Sequence, residues 1–149
     1  MADQPIENLL FDFLDENAAE FGESISIRPT PYEKRDTDSG IEIGDADSSM
    51  LPNGQEDEMT EFDGLLTIEI FSRVVGTGKT QASRVAARQT VFDIKKMMLQ
   101  LFEEFPTLNG RACSVRVYRQ VRFFDDTRAD KYAIERVPIN INQRQLQGD

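Results

Sequence analysis

The sequence predicts an α+β fold: a two-layer sandwich in which a mostly antiparallel four-stranded sheet carries two helices on one face, with a long acidic insertion. Three observations lead there. Residues 65–75 alternate with period two, apolar at Leu66, Ile68, Ile70 and Val74 against Thr67, Glu69 and Arg73, the mark of a half-buried strand. Residues 83–104 then repeat apolar residues at helical spacing through Ala87, Val91, Ile94, Met98 and Leu101 to Phe105, drawing one stripe along some 30 Å of helix. Such a stripe needs a sheet face to lie on. The chain then ends in two further alternating segments around a polar loop, which reads as an antiparallel hairpin.

Taken in order, Asp3 and Pro5 suit the start of a first helix. Ile6, Leu9, Leu10, Phe13 and Leu14 share its inner face, and it is expected to end around 17–20. Its polar face is acidic (Glu7, Asp12, Asp15, Glu16), which argues for core packing over membrane association. Phe21-Gly22 turns the chain into a short strand at 24–28, and Pro29 and Pro31 stop regular pairing. From about 30 to 61 periodicity is lost, so a disordered insertion is expected, with an arm that orders against a neighbouring subunit or partner as the alternative. Within it, Ile41-Glu42-Ile43 is read as a strand that could add to an exposed edge there. After the long helix, Pro106 and Asn109-Gly110 close and turn the chain. The hairpin is expected as one strand at 113–124 and its partner at 131–141. In the partner, Tyr132 and Ile134 fall on one parity and Val137, Ile139 and Ile141 on the other, so a bulge is expected near Glu135-Arg136. Residues 143–149 read as a mobile polar tail.

The 149 residues are one domain's worth. No run of eighteen apolar residues suggests a membrane span, and the first residues lack the pattern of a signal peptide. The single cysteine, Cys113, excludes an internal disulfide, suits a reducing cytosol and reads as a buried hydrophobe. There is no histidine, which removes the commonest general base and metal ligand and nearly excludes zinc chemistry. No cofactor, metal site or catalytic group is expected, and the inventory points to a structural or binding protein.

The net charge of −10 is unevenly spread. Residues 1–35 hold 8 acids and 3 bases, residues 36–63 hold 10 acids and no base, and residues 64–149 hold 9 acids and 14 bases. A basic core with an acidic insertion fits an assembly protein whose faces meet surfaces of opposite sign. Candidate contacts are therefore Ile41, Ile43, Asp45 and Asp47 in the insertion, Lys79 in the loop before the long helix, and Arg116, Arg122 and Arg128 on or near the hairpin.

Gly76-Thr77-Gly78-Lys79-Thr80 resembles the end of a phosphate-binding loop, whose amides cradle phosphates while its lysine reaches them. The first glycine of that motif should stand at 73, where Arg73 would crowd the turn, and there are no repeated parallel βαβ units. A soluble glycine-containing loop is the preferred reading. A nucleic-acid-binding module using the hairpin arginines is a further alternative. Few aromatics interleave with those bases for stacking, and the acidic stretch would repel phosphate.

The order helix, strand, long insertion, strand, long helix, hairpin resembles the tail-terminator (tail-completion) proteins of long-tailed bacteriophages. The likeness lies in residues 6–17, in Phe-Asp-Gly-Leu-Leu-Thr-Ile-Glu-Ile-Phe at 62–71, in the helix through Phe105, and in the hairpin 115–142, with Tyr-Arg-Gln-Val-Arg-Phe-Phe-Asp-Asp-Thr and Tyr-Ala-Ile-Glu-Arg-Val-Pro-Ile. The acidic insertion departs from that pattern. The resemblance implies a non-enzymatic virion protein, assembled in the host cytoplasm, that forms a ring, usually a hexamer. The ring would cap the tail tube, stop its polymerisation and meet the neck or head-completion protein, and in a contractile tail also the sheath. Genome DNA would pass through the hole without sequence-specific binding. Another connector, neck or baseplate protein of the same fold is the alternative within that class.

Overall fold

The computed structural model describes residues 5–29, 35–45, 47–52, 59–75, 81–112, 114–126 and 130–146; for 47–52, 59–63 and 143–146 it describes the backbone. The expected cap at Asp3, the loop Gly76–Thr80 with Lys79, Cys113 and Arg128 lie outside the described residues. The architecture is α+β, with two helices and a mixed sheet. In chain order the elements are α1 (Ile6–Glu16), β1 (Ile25–Arg28), β2 (Ser39–Ile43), β3 (Asp47–Pro52), β4 (Met59–Arg73), α2 (Gln81–Glu104), β5 (Ser114–Val117), β6 (Val121–Asp125) and β7 (Tyr132–Leu146).

The four-stranded sheet expected from the sequence is too small. Seven strand segments fill five positions across the sheet: β1, then β2 with β3, then β4, then β7, then β5 with β6. β4 and β7 form the spine, antiparallel over fifteen residue pairs from Met59↔Leu146 to Arg73↔Tyr132, about 50 Å of ladder. β1 joins β2 in parallel, and every other pairing is antiparallel.

Much of the expected insertion is therefore sheet. β2 lies between β1 and β4, with Ile41 opposite Ile70 and Ile43 opposite Ile68. Both isoleucines are fully buried in the core of the same chain. This corrects their reading as an edge offered to a neighbour: a Val/Ile-type pair on a half-buried surface finds its burial against β4 of the same chain. β3 continues along β4 from Asp47↔Leu65 to Pro52↔Thr60. Residues 143–146, expected as tail, continue β7 against β4.

The core explains which face holds the helices. Ile6, Leu9, Leu10, Phe13 and Leu14 of α1, and Ala87, Val91, Ile94, Met98, Leu101 and Phe102 of α2, are buried. They meet Ile41, Ile43, Leu66, Ile68, Ile70, Val137, Ile139 and Ile141 in one cluster. Phe13 stacks on Phe102 at 6.3 Å and meets Phe105 edge-on at 5.9 Å. Phe105 thus packs on the core from just beyond the helix end, where Leu108, Asn109 and Gly110 all take positive φ and reverse the chain.

The opposite face carries a second, smaller cluster of Phe71, Tyr132 and Ile134, with Phe123 packed on it. This removes the bulge expected in the last strand. Tyr132 and Ile134 do not change parity; they face the other side of a strand that is buried on both faces, and β7 keeps unbroken register with β4. The register changes lie on the outer strands instead. It moves by one between Val117↔Ile139 and Val121↔Arg136, splitting the expected strand 113–124 into β5 and β6. It moves by one again between Ile43↔Ile68 and Asp47↔Leu65. Each outer strand therefore carries a bulge-like break against a continuous spine.

Candidate interface surfaces

On the sheet face away from the helices, one row across four strands is made of charges. Arg28 of β1 stands beside Glu42 of β2, Glu42 opposite Glu69 of β4, and Glu69 opposite Arg136 of β7. Two carboxylates directly opposite each other destabilise a sheet. Arg35, just before β2, resolves the conflict. Its Nε and Nη2 donate to the two oxygens of Glu42 at 3.0 and 2.7 Å, and Nη2 lies 3.7 Å from Glu69. Arg136 donates to Glu69 at 2.7 Å from the other side, and Arg28 pairs with Asp36.

The Arg35 guanidinium also lies over Phe71 and Tyr132, 4.4 and 4.6 Å from their ring centroids. A planar, delocalised cation suits both a bidentate carboxylate and an aromatic face, which lysine does not. Burial tends to lower its pKa. The hydrogen bond to Glu42 and the charges of Glu42, Glu69 and Tyr132 outweigh that and hold it above the usual arginine value. Only 1% of the side chain is exposed, and Nη1 is buried with no hydrogen-bond partner among the described residues. Such a pair adds little net stability over apolar packing, but it fixes geometry. Here it fixes residues 35–38 against the sheet. Gly40 of β2 leaves room for its strand neighbours: an added Cβ would lie 2.7 Å from the Ser26 carbonyl oxygen and 2.9 Å from Phe71 Cε2.

The helix face has its own buried acid. Glu135 of β7 is 1% exposed, accepts from Lys95 of α2 at 2.6 Å and from Arg122 at 3.2 Å, and so ties α2 to the sheet. Nearby, Arg84 and Arg88 of α2 lie over the Phe124 ring at 4.8 and 5.1 Å. A shallow cavity of about 190 Å³ opens there between Arg88, Arg122, Phe123, Phe124 and Ala133.

The candidate contacts separate into three groups. Ile41 and Ile43 are core. Arg122 is engaged internally by Glu135, although its side chain is 42% exposed. Asp45 and Arg116 are exposed. Arg116 of β5 stands opposite Asn140 of β7, in the row that runs through Leu65 of β4 to Asp47 of β3. The exposed apolar residues Leu65, Tyr118 and Val121 belong to or border this part of the sheet. The sequence reading missed Arg35, Arg28, Glu42, Glu69 and Arg136 as a set. The available signal was Glu42 between two isoleucines, a carboxylate that a buried strand must pair.

Among the described residues no group of three or more His, Cys, Asp or Glu could hold a metal ion, and no helix is long and apolar enough to cross a membrane. No protein-family model matches the chain, and no curated protein matches it.

Proposed function

We propose that this protein is a structural ring subunit that ends a phage tail tube, capping its last disc and joining the tail to the neck. The observation that carries the reading is the arrangement of surfaces. Both helices lie on one face of a single sheet, the other face carries a row of charges from Arg28 through Glu42 and Glu69 to Arg136, and a stretch of ten acids without a base precedes a basic remainder of the chain. Subunits of a ring need such a pair of different, complementary surfaces, because each contact is heterologous and must close by rotation. The element order, with its helix, strands, long helix and terminal hairpin, supports the same family likeness. The acids buried on both sheet faces are bound to arginine or lysine, in keeping with structural rather than catalytic duty.

On this reading the ring is hexameric, and its partners are further copies, the tube protein, a neck or head-completion protein and, in a contractile tail, the sheath. DNA passes through its lumen, and the protein resides in the virion. Adding the purified protein to polymerising tail-tube subunits should shorten the tubes and leave extra density at one end in negative stain. Tubes of unchanged length with bare ends would contradict the reading. Density located at the baseplate or within the neck would favour another connector of the same fold.

A further inference from the structure

We infer that a second copy of this chain docks by adding its β1 to the outer edge of β6, so that the two sheets join and α1 of the added copy settles beside α2 of the first. β1 pairs with β2 only, and β6 with β7 only. They are the outermost strands on the two sides of the sheet, and neither outer edge faces another strand among the described residues. Such edges present rows of backbone N–H and C=O groups that template a further strand.

The two edges match in position and direction. Four rows cross the whole sheet: from Ile25 to Phe124, from Ser26 to Phe123, from Ile27 to Arg122 and from Arg28 to Val121. β1 and β6 therefore occupy the same four rows on opposite sides of the molecule. β1 runs parallel to β2, and three antiparallel steps separate β2 from β6, so β1 runs opposite to β6. A copy displaced along the rows brings its β1 onto β6 in that register, antiparallel, with its helices on the same side. β3 shares the position of β2, one strand inside β1. The added copy's β3 therefore lies two strand spacings from β5, about 10 Å, and stays clear of it. Pro29 follows Arg28 and limits the new ladder to these four residues.

The seam is apolar. On the helix side Ile25 comes beside Phe124 and Ile27 beside Arg122; on the other side Ser26 comes beside Phe123 and Arg28 beside Val121. In the single chain Ile25, Ile27, Phe123 and Phe124 are half-buried and Val121 is 55% exposed, so pairing removes apolar surface from water. The cavity of about 190 Å³ between Arg88, Arg122 and Phe124 lies at this edge, where the neighbour's Ile25 enters it.

Charge in the helix layer selects the partner. α1 packs on β1, and residues 6–24 carry Glu7, Asp12, Asp15, Glu16, Glu20 and Glu23 and no base. α2 instead reaches over β6, where Arg84, Arg88, Lys95 and Arg122 gather around Phe92 and Phe124. Two carboxylates answer these four cations: Asp126 binds Arg84, and Glu135 binds Lys95 and Arg122. Asp125 falls on the opposite face of β6, with Phe123, and Asp93 of α2 is matched by exposed Lys96. Arg88 is exposed and has no carboxylate partner among the described residues. Two acidic α1 flanks repel each other, as do two basic α2 flanks, so like-with-like contact is disfavoured and head-to-tail addition is selected. Sheet twist turns each added copy relative to the last, so repeated addition either closes a ring or continues as a filament. The inference deepens the ring reading and rests on it for the closed number of subunits. The edge pairing itself concerns any assembly of this chain.

Two variants of the full chain, each in a Cys113→Ser background, test it: Ser26→Cys and Val121→Cys, mixed in equal amounts and treated with a short bismaleimide. The two positions are diagonal neighbours across the seam, about 7–8 Å apart. A covalent mixed dimer is expected, well above the yield from Ser26→Cys mixed with Ser114→Cys, which lies on exposed β5 at the far end of the same sheet position. In parallel, Arg88→Glu should raise the concentration needed for association roughly tenfold. Mixing that variant with a Glu20→Arg, Glu23→Arg chain should restore it. Circular dichroism checks that each variant is folded, and the cross-linking pair carries the test if a charge-reversed chain is not. Unchanged association of the folded reversed variants, or cross-linking no better than the control, overturns the pairing of β1 with β6 and leaves the ring reading to another surface. Cross-linked edges in a protein that leaves tubes uncapped overturn the ring reading and leave the edge pairing standing.

Discussion

Arg35 shows how one residue can hold a whole connection in place. It sits in Glu33-Lys34-Arg35-Asp36, a charge run that sequence reasoning assigns to solvent. The fold instead places its guanidinium on two aromatic rings and a buried carboxylate. Nothing in local periodicity encodes this, because the partners Glu42, Glu69, Phe71 and Tyr132 are spread over β2, β4 and β7. Arg35→Met keeps the length and loses the charge, leaving Glu42 buried beside Glu69 with Arg28 3.9 Å away. Breaking a buried pair from one side costs about 3–5 kcal/mol, so urea unfolding should show a loss of that order. Arg35→Lys should recover only part of it, since lysine is a point charge without the fork. The sign of the pH dependence follows from the direction of the shift. A base whose folded pKa is raised contributes stability that is complete below its unfolded pKa and is lost only as pH climbs past the folded one. Arginine stays charged to beyond about pH 12, so the Arg35 contribution should persist through mildly alkaline unfolding experiments.

At the scale of elements, the helices, β1 and most of β4 were legible, whereas the place of β2, the existence of β3 and the break between β5 and β6 were not. Period 3.6 in α2 and the five apolar residues of α1 gave the inner faces directly, because each helix buries one long stripe. β4 was legible for the same reason at period two, although its first residues, 59–61, were assigned to the insertion and the strand was expected to begin only at 65. β2 was read as a strand offered to an exposed edge, not as part of this sheet, because its visible signal is two isoleucines around a glutamate, and that glutamate is neutralised by residues before the strand in sequence. β7 was misread because it is buried on both faces, which produces the same pattern as a slipped parity. These assignments separate in hydrogen exchange. The amides of Ile41 and Ile43 should be protected on the same timescale as those of Ile68 and Ile70, their partners across the ladder. Exchange of β2 amides at the rate of an unstructured peptide would restore the flexible-insertion reading.

For the whole molecule, the charge asymmetry visible in the sequence acquires geometry. Part of the acidic stretch is consumed internally: Asp36 by Arg28, Asp38 by Arg73 and Glu42 by Arg35. Among the other acids of the described residues, Asp45 is exposed just before β3, Asp47 begins β3, and Glu61 and Asp63 belong to β4. Arg116 and Arg119 lie across the sheet from β3, on and beside β5. Sequence alone showed opposite charge in two stretches; strand order sets Asp47 of β3 and Arg116 of β5 at the two ends of one row, with Leu65 and Asn140 between them. The most direct measurement of this account is the mass of the purified chain by light scattering across a wide concentration range, at low and high salt. The account predicts a concentration-dependent rise from monomer to a closed oligomer of hexameric mass, with the rise moved to higher concentration as salt screens the attraction between oppositely charged surfaces. A mass that stays at one chain at every concentration and in either salt would contradict it.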